Sequence, residues 1–180
     1  YYGFKIHEIL EMELLNMGQY AHGNQPIQHA IYFYNFARQP WKTQQKIRHV
    51  MDNLYGDGPD GYCGDEDNGQ TSAWFVFSAM GFYPVAPVTG QYIIGSPLFK
   101  SIKIELANNK SVNINVSNNE KENVYISSLS INNQNYNKNW LDHSIFINGG
   151  EIDFSMSPKP NYLWGSDEES VPYSMSSEKK

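Results

Sequence analysis

The sequence is poor in cysteine, in positive charge and in long apolar runs. Cys63 is the only cysteine, so no intrachain disulfide can form and thiol content does not identify a redox compartment. Thirteen Lys and Arg face nineteen Asp and Glu, a net charge of −6. That balance argues against nucleic acid and anionic membrane as partners, because both need a basic patch. No apolar run approaches the roughly 18 residues of a membrane-spanning helix. The five histidines lack metal-ligand spacing and Cys63 has no partner cysteine, which disfavours zinc. The chain opens on Tyr1 with neither an initiator Met nor a signal peptide. The expectation is a piece of a longer protein whose targeting information lies upstream.

What is present is aromatic and patterned. A chain of 180 residues with 13 Tyr, 9 Phe and 4 Trp has material for a large core, as one domain or parts of two. Ile6, Ile9, Leu10, Leu14 and Leu15 recur at helical spacing, with Gly18 as a stop. Pro26 suits the first turn of a second helix carrying Ile27, Ala30, Ile31, Tyr34 and Phe36 inward. Pro40 opens a third, with Ile47, Val50, Met51 and Leu54 inward and Gly56 ending it. A fourth runs from about Gln70 to Met80 and stops at Gly81.

After Tyr83-Pro84 the period changes to alternation. Ile102/Ile104/Leu106, Val112/Ile114/Val116, Val124/Ile126 and Ile145/Ile147 predict short strands, Glu151–Met156 predicts the last, and Asn108-Asn109 and Asn118-Asn119 supply turns. From about Ser166 the chain is rich in Ser, Glu and Lys without an apolar period, which predicts a disordered tail. Helices followed by antiparallel strands is an α+β pattern. The division expected is 1–97 helical, 98–165 a small antiparallel β layer, and 166–180 tail.

The feature that carries chemistry is Gly64-Asp65-Glu66-Asp67-Asn68-Gly69, three consecutive carboxylates between glycines at the start of the fourth helix. Like charges this close destabilise one another unless a cation or a proton-transfer role compensates. A solvated helix-capping loop is the plainer alternative, since carboxylates favour helix N-termini. On an extended backbone Asp65 and Asp67 would face one cavity and Glu66 the other way. An EF-hand is ruled out. Counted from Asp65, the glycine falls at position five instead of six, and position twelve is Val76 instead of Glu.

The stretch from Gly64 to Val85 and the later Tyr92-Ile93-Ile94-Gly95-Ser96-Pro97-Leu98-Phe99 resemble glycoside hydrolase family 92. His22-Gly23-Asn24-Gln25-Pro26 and Gln39-Pro40-Trp41-Lys42-Thr43-Gln44 match the same family in the same order. The resemblance spans about residues 5–160. It implies a calcium-dependent, inverting exo-α-mannosidase acting on terminal α-mannosidic bonds of glycans, with these helices belonging to an (α/α)6 toroid. It further implies Asp65 and Asp67 as catalytic-base candidates, with the general acid upstream of Tyr1, so that the isolated segment lacks activity. His7, Glu8, His22 and Asn24 are the substrate-binding candidates it points to, and Asp67, Gln25 and Glu11 the Ca2+ ligands. Many family members carry Glu at the position of Gln25; glutamine keeps an oxygen ligand but cannot ionise. The expected partner is a mannose-containing glycan, and the expected location periplasmic or extracellular. The rival function class is a non-catalytic, calcium-dependent carbohydrate-binding or accessory module. Trp41 and Trp74 read as core, and Lys42 and Gln44 as candidates for binding sugar hydroxyls.

Overall fold

The computed structural model describes residues 5–178. The first helix, α1, spans His7–Leu15 and ends when Asn16 turns left-handed (φ 49°), its N–H returning to Met12 O. Termination therefore precedes the expected Gly18. α1 buries Glu11 and Leu15, whereas Ile6, Leu10 and Leu14 are about half exposed. Its apolar residues thus lie on two faces, and a carboxylate sits on the inner one.

The second expected helix is broken. Gln25–Ile27 and Ala30–Tyr32 are 310 turns, and only Phe33–Phe36, α2, makes an α-turn. The cause is competition for carbonyls. Gln28 O accepts from Trp74 Nε1 (3.1 Å) and Ile31 O from Thr43 Oγ1 (3.0 Å), so tertiary donors occupy acceptors that a continuous helix would use.

Helix α3, Pro40–Leu54, and helix α4, Gln70–Met80, form where proline and glycine punctuation placed them, and Gly81 closes α4 at φ 101°. α3 buries Ile47, Val50, Met51 and Leu54, together with the polar Thr43, Gln44 and Arg48. These polar groups hold the strand region. Gln44 Oε1 accepts from Ile126 N (3.1 Å), and Arg48 Nη1 donates to Pro97 O (2.8 Å). Gln44 is therefore a structural tie and not a sugar contact.

Strands β1 (Phe82–Tyr83), β2 (Gln91–Ile94), β3 (Ser101–Glu105), β4 (Ser111–Ser117), β5 (Tyr125–Ile131), β6 (Gln134–Asn135), β7 (Trp140–Asp142) and β8 (Gly150–Ser157) build two sheets. One has the order β1-β2-β7, the other β3-β4-β8-β5-β6. The expected antiparallel layer is corrected to a mixed one, because β4 and β8 pair in parallel, Val112 opposite Gly150. β8 inserts between β4 and β5, which run in opposite directions, so it must parallel one of them. Ile145 and Ile147 lie on a short helix, α5 (His143–Asn148), and not on a strand; Asp142 caps it by accepting from Ser144 N (2.8 Å).

Two apolar clusters result. The strand cluster includes Val112, Ile114, Ile126, Leu129, Ile152 and Phe154, and the helical one Leu15, Tyr32, Ile47, Val50 and Trp74. Across the expected 97/98 boundary, β2 pairs with β7, and Asn35 and Asn139 exchange side-chain-to-backbone hydrogen bonds of 2.9 and 3.1 Å. The tail expectation also changes. Asn139 N donates to Ser170 O (2.9 Å) and Tyr173 N to Gln91 Oε1 (2.8 Å), with Ser170 buried. Hydrogen bonds to the body dock a stretch whose composition lacks apolar period; positions 179 and 180 lie outside the described residues.

Candidate active site

The acidic loop is held from below by polar side chains and leaves two carboxylates facing solvent. Glu66 caps α4. Its carboxylate accepts from Ser72 Oγ (2.6 Å), Gly69 N (2.7 Å) and Ser72 N (3.3 Å), and these bonds hold its pKa below the ordinary range. Asp67, Asn68 and Gly69 are all left-handed (φ 56°, 57° and 94°), so the backbone is not extended at Asp67. Glu66 is committed to capping α4, and the strand-like alternation expected of the loop does not apply to it. Asp65 and Asp67 are exposed, and among the described residues neither forms a salt bridge.

The Asp65 carbonyl is fixed by two donors, Gln25 Nε2 (2.7 Å) and Thr71 Oγ1 (3.0 Å). Thr71 is buried and also accepts from Gln28 Nε2 (3.2 Å), while Gln28 Oε1 accepts from Gln70 Nε2 (3.3 Å). A layer of amides thus sets the height of the loop. Sequence reasoning missed Gln28 and Thr71. Their polarity at buried positions was the one available signal, and it is invisible until burial is known.

A second cluster lies beside the loop. His7 Nδ1 donates to Glu11 Oε1 (2.8 Å), and His7 Nε2 lies 3.4 Å from Glu8 Oε1. Gly23 N donates to Glu11 Oε2 (2.5 Å). The Glu11 hydrogen bond raises the His7 pKa above 6.5; burial opposes this, and the charges of Glu8, Glu11 and Asp65 reinforce it. His7 and Glu11 line an open cleft of about 470 Å³ with Leu10, Tyr62 and Gly64. Burial pushes the Cys63 thiol up to about 12, so it stays protonated.

Placement of the expected residues is therefore uneven. His7 stands beside Glu11 and Glu8, and Gln25 bonds the Asp65 carbonyl of the loop that also carries Asp67, whereas Asn24 is exposed at the turn with no side-chain cap bond. His22 does not face the site. It is fully buried, with Nδ1 2.6 Å from Tyr20 Oη, Nε2 2.7 Å from Tyr55 Oη, and its ring edge-on to Trp74 at 4.2 Å. Burial lowers its pKa to about 3, so it is a neutral core histidine. Trp74 is core as expected, and Trp41 packs edge-on against Tyr162.

As metal ligands, Asp67 and Gln25 suit a hard cation. The Gln25 amide nitrogen is spent on Asp65 O and Thr71 Oγ1, which leaves its oxygen for coordination. Glu11 is less open to a cation than Asp67, since it is buried and each of its oxygens already accepts one protein donor. Among the described residues no group of three or more His, Cys, Asp or Glu side chains is arranged to hold a metal ion.

The sequence profile of the glycosyl hydrolase family 92 catalytic domain matches residues 3–158. The chain belongs to glycosyl hydrolase family 92. A solved family GH92 inverting mannosidase from Bacteroides thetaiotaomicron is 54% identical, matched over 97% of this chain and 24% of its own length, with TM-score 0.85. A family GH92 α-mannosidase from the same organism, in complex with mannoimidazole, is 40% identical over 88% of this chain and 21% of its own length, again with TM-score 0.85. An uncharacterized secreted glycosidase of Arthroderma benhamiae is 30% identical over 156 residues, 85% of this chain and 20% of that protein. This family 92 chain spans about a fifth to a quarter of the length of the relatives it matches. Among its described residues no helix is long and apolar enough to cross a membrane.

Proposed function

We propose that this chain forms one wall of the active site of an inverting exo-α-mannosidase that cleaves terminal mannose from glycans. The observation that carries this reading is the pair of free carboxylates, Asp65 and Asp67, on a loop pinned by Glu66, Gln25 and Thr71. Inverting hydrolysis needs a base that activates water and an acid across the bond, with carboxyls roughly 6.5–9.5 Å apart. Asp65 and Asp67 are the base candidates, and the acid comes from outside this chain. His7, Glu8 and Asn24 contact the sugar; His22 supports the turn from behind. The helices are the last of an (α/α)6 toroid, and the enzyme acts in the periplasm or outside the cell.

Asp67 and Gln25 would hold a calcium ion together with further oxygens, because Ca2+ takes six to eight oxygen ligands. When bound, it supplies positive charge that offsets the acidic loop and organises sugar hydroxyls. The test is kinetic, on a polypeptide of full family length carrying this chain, with an unactivated mannobiose as substrate. Asp65→Asn or Asp67→Asn lowers kcat by about 10²- to 10⁴-fold, the usual range for general-base catalysis, and Glu66→Gln has a mild effect. The largest loss falling on Glu66→Gln would refute the assignment.

A further inference from the structure

We propose that Glu11 is a positioning residue, a buried carboxylate that decides which nitrogen of His7 carries the proton and where the Gly23 turn sits. The inference rests on the mannosidase reading of the same site. Glu11 is only 4% exposed, and its two oxygens serve two different segments. One faces His7 Nδ1 at 2.8 Å, a full helical turn back on α1; the other accepts from Gly23 N at 2.5 Å. Carboxylates can only accept, and Glu11 at 2.8 Å from Nδ1 is within hydrogen-bond reach while Glu8 stands 3.4 Å from Nε2, so the proton of a neutral His7 belongs on Nδ1. Neutral His7 then offers the lone pair of Nε2, the atom on the Glu8 side of the ring, as its one remaining polar group.

The glycines beside the pair give an independent sign that the arrangement is built. A Cβ on Gly64 would come within 2.7 Å of His7 Nδ1, and one on Gly23 would collide with Glu11 Oε1 and the Cys63 carbonyl. The backbone at both positions is bare where the His7–Glu11 pair needs the space. Helix α1, the 22–25 turn and the start of the acidic loop therefore meet on two side chains. The place of Glu11 in the site is to orient His7, as a carboxylate behind a histidine orients the ring and sets its tautomer.

The experiment uses a polypeptide of full family length carrying this chain. Two-bond 1H–15N spectra of His7 report which nitrogen is protonated in the neutral ring. The expected result is Nδ1 in the wild type and Nε2 in Glu11→Gln, whose amide NH2 turns toward the ring. Mannobiose kinetics supply the second readout. Glu11→Gln lowers kcat/KM by about 10- to 100-fold, the usual cost of losing an orienting partner. In a His7→Asn background the same change costs about twofold at most, because glutamine keeps an oxygen for Gly23 N and the rest of the Glu11 effect runs through His7. A wild-type proton on Nε2, an unchanged tautomer in Glu11→Gln, or fully additive losses would each overturn the proposal. The wild-type spectrum needs no variant and no turnover. Absence of mannosidase activity would count against the mannosidase reading, while the spectrum still decides the role of Glu11.

Discussion

The acidic loop and the layer directly beneath it treat polar groups in opposite ways. Above, Asp65 and Asp67 are exposed and outside any salt bridge among the described residues. Below, His22, Gln28, Thr71 and Trp74 are buried, and each bonds to a neighbour in the same layer or the loop. Under the proposed assignment of Asp65 and Asp67 as the base candidates, the difference is a way to keep a reactive pair in place. Groups that must meet a substrate are left without partners, and groups that fix them have theirs satisfied, because an orphaned buried polar atom costs about 1–3 kcal/mol.

The strongest way to break this contrast is to remove what the loop receives from outside. Exhaustive chelation should abolish mannobiose hydrolysis by the full-length protein, and Ca2+ should restore it better than Mg2+ or Zn2+. Oxygen ligands on a loop favour the larger, less geometry-demanding ion. Turnover that survives chelation would remove calcium from the site.

The lower layer responds in stability. Thr71→Val keeps the shape but strips donor and acceptor from a hub that touches Asp65 O, Gln25 and Gln28. Urea unfolding should show a loss of about 1–3 kcal/mol. A stability change near zero would mean that Thr71 does not hold the loop.

His22 sharpens the contrast through pH. Its folded pKa of about 3 lies below the 6.5 of a free histidine, so between these values the unfolded chain binds a proton that the folded one refuses. Stability from this group is complete above about pH 6.5 and falls as pH drops toward 3, by at most about 1.4 kcal/mol per pH unit. In His22→Asn that part of the slope should vanish; equal slopes in the two proteins would refute a neutral buried ring. The smallest effect belongs to Glu66→Gln. Its thermal midpoint should fall modestly, and the fall should shrink in acid as the wild-type carboxylate loses its charge, because the folded pKa is depressed. A midpoint that does not move would remove Glu66 as the cap of α4.

Several elements were legible in residue order alone. Pro40 and Gly81 mark the ends of α3 and α4 because one restricts φ and the other tolerates φ of 101°. Alternation of Val112, Ile114 and Val116 placed β4, since a strand turns successive side chains to opposite faces. The four family-like stretches, and with them the family and the Asp65–Asp67 loop, are local strings. What the tertiary structure alone decided depends on partners distant in the chain. Trp74 and Thr43 take the carbonyls that would have continued a helix after Pro26. β8 runs parallel to β4 because it enters between two strands laid down earlier. His22 and Glu11 are site candidates in sequence, yet one is sealed among Tyr20, Tyr55 and Trp74, and the other is buried against His7 and Gly23. Residue type determines what a side chain is able to donate or accept; only the folded chain determines which of those capacities remains free for chemistry.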